Sequence, residues 1–567
     1  MEQRKDIMTG IIRILILFIV GSIFLAIAGY ILSFVIDIIG RIIVFVLQWA
    51  VFGGIAWYGY KYFKKPKPKE KPAEVIPEEA IRLYTSSGQP IVIGNPFRGI
   101  FVLGAAGSGK SESIAVPLLS EFIRNGFSGL VYDFKFPTLG QDVQSFISAN
   151  GNEIKHYYID LNNPEQSPRV NPIQPDYLLN TSYAREFAQA IVANLIKESI
   201  KKPDFWNRSA TDLLTACIWY LKEEHPAMCD IPHVCALVSS KDEDLLRLLQ
   251  KNPQTAQMTM SIFSAMERGA DGQVSGVVGT LQSAIAQINT PELMYIFGGN
   301  DFSLDLNNPS SPAIVTVGTY PTLVQTFAPL CSLIITVATK LMNQPGKVPS
   351  FVMIDEAPTV YIPGLDILPN TGRSNKISTV LMCQDLAQLS DGYGKEKADV
   401  LFASCNTHFY GRVSSSITAE RLSRQFGKED KVYTTASQSR TGFHRTSGTS
   451  ESVQERDAAK PSSFLSLEPG EFYGIAVESN VPFFRKKFRQ AERPIPAQLE
   501  KPSHAESIQE YTLKVREDIK SILYGLKPDE PEEHQEPDIP SDIKFKGFSV
   551  DSILSCCRYC YLYYVFT

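Results

Sequence analysis

The first sixty residues show no alternation of polar and apolar positions. Residues 14–36 run for 23 positions without a charge, and residues 42–60 for another 19. Each run is long enough to cross a hydrocarbon core of about 30 Å as a helix. The intervening Asp37-Ile-Ile-Gly-Arg41 predicts a short turn, and hence a two-helix transmembrane hairpin over residues 1–62. Arg4, Lys5 and Arg13 precede the runs, and Lys61, Lys64, Lys65, Lys67, Lys69 and Lys71 follow them. Under the positive-inside rule both flanks, and with them the bulk of the chain, lie in the cytoplasm.

After a Lys- and Pro-rich connector at residues 63–80, extended and semi-rigid by composition, the pattern changes to short apolar runs. Residues 100–104, 129–133, 154–161, 313–318, 350–355, 378–384, 407–413 and 471–477 are rich in branched and aromatic side chains. Near-continuous apolar strands of this kind predict a mostly parallel sheet covered on both faces. From 182 to 307 no strand pattern occurs, and 184–198, 206–224 and 270–288 carry helix-period apolar positions. That block reads as an all-α domain inserted between two parts of an α/β domain, 81–181 and 308–495. The remainder, 496–567, is a tail with a disordered acidic segment at 529–542. It ends in an apolar, Cys- and Tyr-rich stretch at 550–567, which reads as a membrane-interface or partner segment, or as the product of a frame accident at the gene's end.

Composition refines this picture little. With 567 residues and 44% hydrophobic content the chain can build large cores. A net charge of -5 excludes a generally basic surface, so any contact with nucleic acid must be local. Nine cysteines, mostly embedded in apolar runs, fit reduced thiols in a cytoplasmic body. Cys557-Arg-Tyr-Cys560 lacks the second pair that a zinc site needs.

The chemistry concentrates in two places. Residues 104–111 read GAAGSGKS, the pattern in which backbone amides wrap phosphates, the lysine reaches the β and γ oxygens and the serine ligates magnesium. The loop falls between a strand and a helix pattern, where a helix N-terminus favours anions. Nucleotide contacts are therefore expected from Gly104, Ala105, Ala106, Gly107, Ser108, Gly109, Lys110, Ser111 and Glu112, with ATP and Mg²⁺ as cofactors. Downstream, Phe351-Val-Met-Ile-Asp355-Glu356 is an apolar strand ending in two carboxylates. Asp355, with Ser111, is suited to the magnesium shell, and Glu356 to polarising the attacking water. Gln384, closing the next strand, is placed to sense the γ-phosphate or orient water, and Arg373 to act as an arginine finger on a neighbouring subunit. Arg421, Arg424, Lys428 and Lys431 are candidates for gripping a strand by its phosphates, or form an ordinary solvated face. The Ser/Thr-rich residues 434–452, with Arg440 and Arg445, read as a flexible loop.

Together, the membrane runs, GAAGSGKS, VYDFK at 131–135, NPI at 171–173, FWNRSATDLLTACIWYL at 205–221, VMIDEAP at 352–358, Gly-Arg-Ser at 372–374, LMCQDLAQL at 381–389 and LEPGEFYGI at 467–475 resemble the type IV coupling proteins, the TraG/TraD-like ATPases of bacterial conjugation. The resemblance covers roughly residues 80–480 and the membrane runs. It implies a RecA-like nucleotide-binding domain with a membrane-distal all-α domain, assembled as a hexamer at the inner membrane. It further implies an ATPase that receives relaxase-bound single-stranded DNA and delivers it to a type IV secretion channel. Lys110, Ser111, Asp355, Glu356, Gln384 and Arg373 take the roles given above. Family members often carry a sizeable periplasmic loop, here reduced to about five residues. Export of protein substrates without DNA pumping is the alternative that the same nucleotide residues would serve.

Overall fold

The computed structural model describes residues 2–63 and 77–525, apart from 152, 442, 443, 500, 503 and 505. Most of the connector, the acidic segment 529–542 and the Cys/Tyr-rich end lie outside the described residues. The chain falls into two units, residues 1–76 and 77–567.

The first unit is one helix, Glu2–Phe63, and the expected hairpin turn is absent. Nothing in Asp37-Ile-Ile-Gly-Arg41 stops a helix: there is no proline, and Asp37 and Arg41 form an i,i+4 ion pair at 3.0 Å, which favours helix by a few tenths of a kcal/mol, about 0.2–0.5. Within residues 9–61 an eighteen-residue stretch reaches a mean hydropathy of 2.8 with none of it buried, so this helix is long and apolar enough to cross a membrane. Helix Val324–Met342 passes the same test of length and composition but is 72% buried, as befits the core of the second unit.

In the second unit a nine-stranded sheet has the order β13-β12-β9-β3-β8-β7-β4-β6-β5. Its strands are β3 (Ile100–Leu103), β4 (Ser128–Asp133), β5 (Lys155–Asp160), β6 (Ala313–Gly318), β7 (Ser350–Ile354), β8 (Ile377–Cys383), β9 (Thr407–Tyr410), β12 (Glu471–Ala476) and β13 (Phe483–Lys487). From β9 to β5 the strands are parallel, while β12 and β13 are antiparallel additions. Every position of β3, β4, β6, β7 and β8 is buried, because successive side chains leave a strand on opposite faces and both faces are covered. Ile100, Val102, Phe351 and Met353 join Phe122 and Phe146 of the helices Val116–Arg124 and Thr138–Asn150 in one core. Phe101, Leu103, Val352 and Ile354 join Ile334 of Val324–Met342 and the helices that follow β5 in the other. The Phe122 and Phe351 rings stack at 4.9 Å, and each such buried side chain is worth about 1.5–3 kcal/mol.

Between β5 and β6 the chain forms helices from Thr181 to Phe297, with no strand among the described residues. Their starts are set by capping side chains: Asn180, Asp204, Asp230, Asn252 and Thr290 each accept a backbone N–H of the first turn, an arrangement worth about 1 kcal/mol. Two small antiparallel elements complete the unit. They are β1 (Ile81–Tyr84) with β2 (Pro90–Ile93), and a long ribbon of β10 (Lys428–Thr441) with β11 (His444–Asp457). The ribbon stands where a flexible loop was expected; its β-branched threonines and its fourteen-residue register suit a strand pair better than the serine content suggested.

The tail also contains structure. Helix Ile508–Tyr524 lies on the inserted helices, where the Arg169 guanidinium sits 4.4 Å from the Tyr295 ring and 4.7 Å from the Tyr511 ring. Arg169 also donates to the carbonyls of Tyr295 and Gly298, both at 3.0 Å. Replacing Arg169 by Ala removes two charge-assisted hydrogen bonds and two cation–π contacts. We expect a loss of about 2–4 kcal/mol, read as a lower unfolding midpoint and faster proteolysis between residues 499 and 507.

Candidate active site

β3 runs into the phosphate loop, and the loop into a π turn, Ser111–Ala115, that continues as helix Val116–Arg124. Gly107 and Gly109 have φ of +74° and +90°, a region that glycine alone enters freely. A Cβ on Gly109 would stand 2.6 Å from the Gly470 nitrogen, so this position excludes any side chain.

Three distant segments hold the loop. Gly104 N–H donates to the Cys383 carbonyl at the end of β8 (3.2 Å), Ala105 N–H to the Arg412 carbonyl beyond β9 (2.7 Å), and Gly470 N–H to the Ser108 carbonyl (2.9 Å). The amides of Ala106, Gly107 and Gly109 have no protein acceptor among the described residues, which leaves them to an anion. The Lys110 ammonium is nearly buried and donates to the carbonyls of Gly104 (2.7 Å) and Cys383 (3.1 Å). Burial holds its pKa below the usual lysine value, opposed by the charge of Glu356.

Because β7 is adjacent to β8 and one strand removed from β3, its two terminal carboxylates arrive beside the loop. Glu356 is 6% exposed and lies 3.9 Å from the Lys110 ammonium. It accepts the Gln384 backbone N–H (3.2 Å) on one oxygen and the Gln384 side-chain amide (3.1 Å) on the other. Burial raises its pKa, and Lys110 and Gln384 pull it back. The Asp355 carboxyl is pushed up to about 6 by burial and by Glu356, the state of an acid that a cation would deprotonate. Among the described residues no three His, Cys, Asp or Glu side chains cluster as a metal cage. Ser111, next to Lys110 on the loop, and Asp355, next to Glu356, offer oxygen ligands of the kind Mg²⁺ takes when nucleotide phosphates supply most of its coordination.

Lys110, Ser111, Asp355, Glu356 and Gln384 thus meet at one edge of the sheet. Glu112 belongs to the loop, but its carboxylate is taken by Arg493 at 2.6 and 3.0 Å. Arg373 stands apart: it is exposed on the turn Gly372–Asn375 before β8, at the opposite end of a seven-residue strand from Gln384, roughly 20 Å away at strand rise. It cannot serve the site of its own chain. Of the other candidate cations, Arg421 pairs with Asp399, Lys428 with Glu455 and Lys431 with Glu429, while Arg424 is exposed.

Other contributors escape sequence reasoning. Asp133, ending β4, accepts the N–H groups of Lys135, Leu139 and Gly140 and sits near Asp355; burial pushes it up to about 7. Lys135 adds positive charge beside Asp355 and Glu356. Asn194, at the end of helix Thr181–Leu195, binds both backbone groups of Tyr361 at 2.7 and 2.9 Å, five residues past Glu356. It lines a cavity of about 730 Å³ together with Glu356, Gln384 and Lys201. Gly470, with φ of +81°, backs the loop. The signal for Asp133, Lys135 and Gly470 lay in VYDFK and LEPGEFYGI, as parts of a resemblance, and Asn194 had none. Gly470→Ala adds a Cβ 3.0 Å from the Ser113 hydroxyl in a left-handed conformation that costs about 1–2 kcal/mol. We expect roughly tenfold weaker binding of a non-hydrolysable ATP analogue, measured by calorimetry, and a slightly lower unfolding midpoint.

With this geometry in place, comparison with known proteins is informative. The family described as "Type IV secretory system Conjugative DNA transfer" matches residues 63–487. No curated protein matches significantly. Among solved structures, the bacterial conjugative coupling protein TrwBdeltaN70 in its unbound form is similar at a TM-score of 0.58 and 17% identity, covering 75% of this chain and 91% of that one. TrwB with the non-hydrolysable ATP analogue ADPNP gives 0.55 and 17%, covering 71% and 88%. TrwB with ADP and Mg²⁺ gives 0.56 and 19%, covering 74% and 91%. At these identities the likeness speaks for the fold, a mostly parallel sheet with helices on both faces. The family match extends over most of the chain, from the end of the apolar helix to the last strand of the sheet, and the chain belongs to the type IV secretory system conjugative DNA transfer family.

Proposed function

We propose that this protein is an ATPase anchored in the bacterial inner membrane by its apolar helix, with the bulk of the chain cytoplasmic. It couples relaxase-bound single-stranded DNA to a type IV secretion channel and works as a hexamer that moves the strand. The observation that carries this reading is the convergence of Lys110, Glu356 and Gln384 on a phosphate loop with open amides, in a chain of the conjugative DNA transfer family. The nucleotide-bound TrwB structures support ATP and Mg²⁺ as its ligands.

The amides of Ala106, Gly107 and Gly109 and the Lys110 ammonium bind the β- and γ-phosphates, while Ser111 and Asp355 hold the cation that accompanies them. Bound Mg²⁺ neutralises charge on those phosphates. Glu356 takes the proton of the attacking water, and Gln384, already hydrogen-bonded to Glu356, orients that water. Arg373 supplies positive charge to a neighbouring subunit's site, which its distance from its own site requires if it acts at all. Hydrolysis in one subunit then depends on the next, and the bound strand is contacted through its phosphates without regard to sequence.

The test is ATP hydrolysis by the purified protein with and without single-stranded DNA, beside Lys110→Ala and Arg373→Ala. DNA should raise the rate with a steep dependence on protein concentration, and both variants should abolish turnover. Mixing the two inactive variants should restore part of it, since each supplies what the other lacks. Hydrolysis that ignores DNA at low salt would sink the DNA-motor reading and favour a protein exporter, and Arg373→Ala hydrolysing at the wild-type rate would remove the finger.

A further inference from the structure

The phosphate loop carries a carboxylate in an awkward place. Glu112 follows Ser111 directly and is the acidic residue of the turn Ser111–Ala115 that opens the loop's helix. A helix N-terminus attracts negative charge, so Glu112 and the phosphates of a nucleotide compete for the same field. Left alone, this carboxylate would favour the empty loop and repel a polyphosphate.

The group that answers it comes from beyond the sheet. After β13 the chain runs past the phosphate-loop helix to helix Thr138–Asn150, and it is fastened on the way. Phe488 N–H donates to the Gly470 carbonyl and Arg489 N–H to the Tyr84 carbonyl, both at 2.9 Å. Ala491 packs on the core that holds Ile114 and Phe146, and Ala497 N–H donates to the Ser145 hydroxyl at 3.1 Å. Between these anchors lies Arg493-Pro-Ile-Pro496. Each proline fixes its own φ and keeps the residue before it extended, so Arg493 is presented on a stiff backbone.

Arg493 engages two carboxylates at once. Its Nε and Nη2 donate to the two oxygens of Asp142 at 2.7 and 3.1 Å, and its Nη1 and Nη2 to the two oxygens of Glu112 at 2.6 and 3.0 Å. The two partners differ in burial: side-chain exposure is 9% for Asp142 and 41% for Glu112. The buried Asp142 therefore fixes the guanidinium, and the rest of the fork takes the exposed carboxylate of the loop. Paired, planar contacts of this kind neutralise a carboxylate and set its orientation together.

We propose that Arg493 is a positioning residue for nucleotide binding, which neutralises Glu112 and ties it to helix Thr138–Asn150 so that the helix N-terminus is left to the phosphates of ATP. The proposal rests on the ATP reading above and adds to it a residue outside the segment that the family shares.

The test uses the full-length protein in detergent and the non-hydrolysable ATP analogue ADPNP, with binding measured by calorimetry at low and high salt. Arg493→Gln should weaken binding about tenfold at low salt, the effect of one uncompensated charge several ångströms from a polyphosphate, and by less at high salt, where an exposed carboxylate is screened. Adding Glu112→Gln to Arg493→Gln should bring the affinity back to within about twofold of wild type, the mark of two coupled residues. Glu112→Gln alone, which keeps the buried Asp142 pair, should bind at least as tightly as wild type. Arg493→Gln at wild-type affinity would overturn the proposal and leave the ATP reading intact. So would a loss that Glu112→Gln does not restore, which would make Arg493 a brace of the fold only. Glu112→Gln binding more weakly than wild type would overturn it as well, since the carboxylate would then serve the nucleotide. A wild-type protein that binds no ADPNP would overturn the ATP reading, and the role of Arg493 with it.

Discussion

The phosphate loop does not hold its own shape. Its glycines permit the turn, but the turn is fixed by backbone groups from the ends of β8, β9 and the strand-side segment at Gly470, and by a lysine that spans Gly104 and Cys383. A parallel sheet makes this possible, since it brings the C-terminal ends of strands remote in sequence to one edge. With β3, β8 and β7 side by side, the loop, the Gln384 amide and the Glu356 carboxylate need no further device to meet.

The connections run in two directions. On one side, Asn194 ties the inserted helices to the backbone of Tyr361, while Thr359 bonds back to the Glu356 carbonyl and lies 3.0 Å from the Tyr132 hydroxyl. The segment after Glu356 is thus held by the sheet and by the helical insertion at once, beside a cavity that gives it room to shift. On the other side, the excursion from Arg412 to Gly470 carries the ribbon.

Much of this was legible in the sequence, for physical reasons. Seven parallel strands were readable because strands covered on both faces need apolar runs, as in Ile100–Leu103 and Ser350–Ile354, and antiparallel β12 was readable from its branched and aromatic residues. The meeting of Lys110 with Glu356 and Gln384 followed from strand-end positions. What was not legible depended on contacts across the fold. Gly470 looks like any turn glycine until the loop is packed against it, and Asn194 like any helix-end amide. Helix Ile508–Tyr524 buries Tyr511, Val515, Ile519 and Ile522, but its docking also depends on Arg169 lying between Tyr295 and Tyr511, a contact across the fold. At residues 434–452 serine and glycine outweighed the threonines that suit a strand. At Asp37-Ile-Ile-Gly-Arg41 two charges suggested a turn where they instead pair along a continuous helix.

The central claim is that Glu356, held by Gln384 against Lys110, is the group that activates water and takes no part in binding the nucleotide. The direct measurement compares the affinity for a non-hydrolysable ATP analogue with single-turnover hydrolysis in Glu356→Gln, which keeps the shape and one hydrogen bond of the side chain. The account predicts affinity within about twofold of wild type and hydrolysis slowed at least a hundredfold, the scale of losing a general base. Hydrolysis at the wild-type rate, or a loss of affinity that accounts for all of the lost turnover, would contradict it.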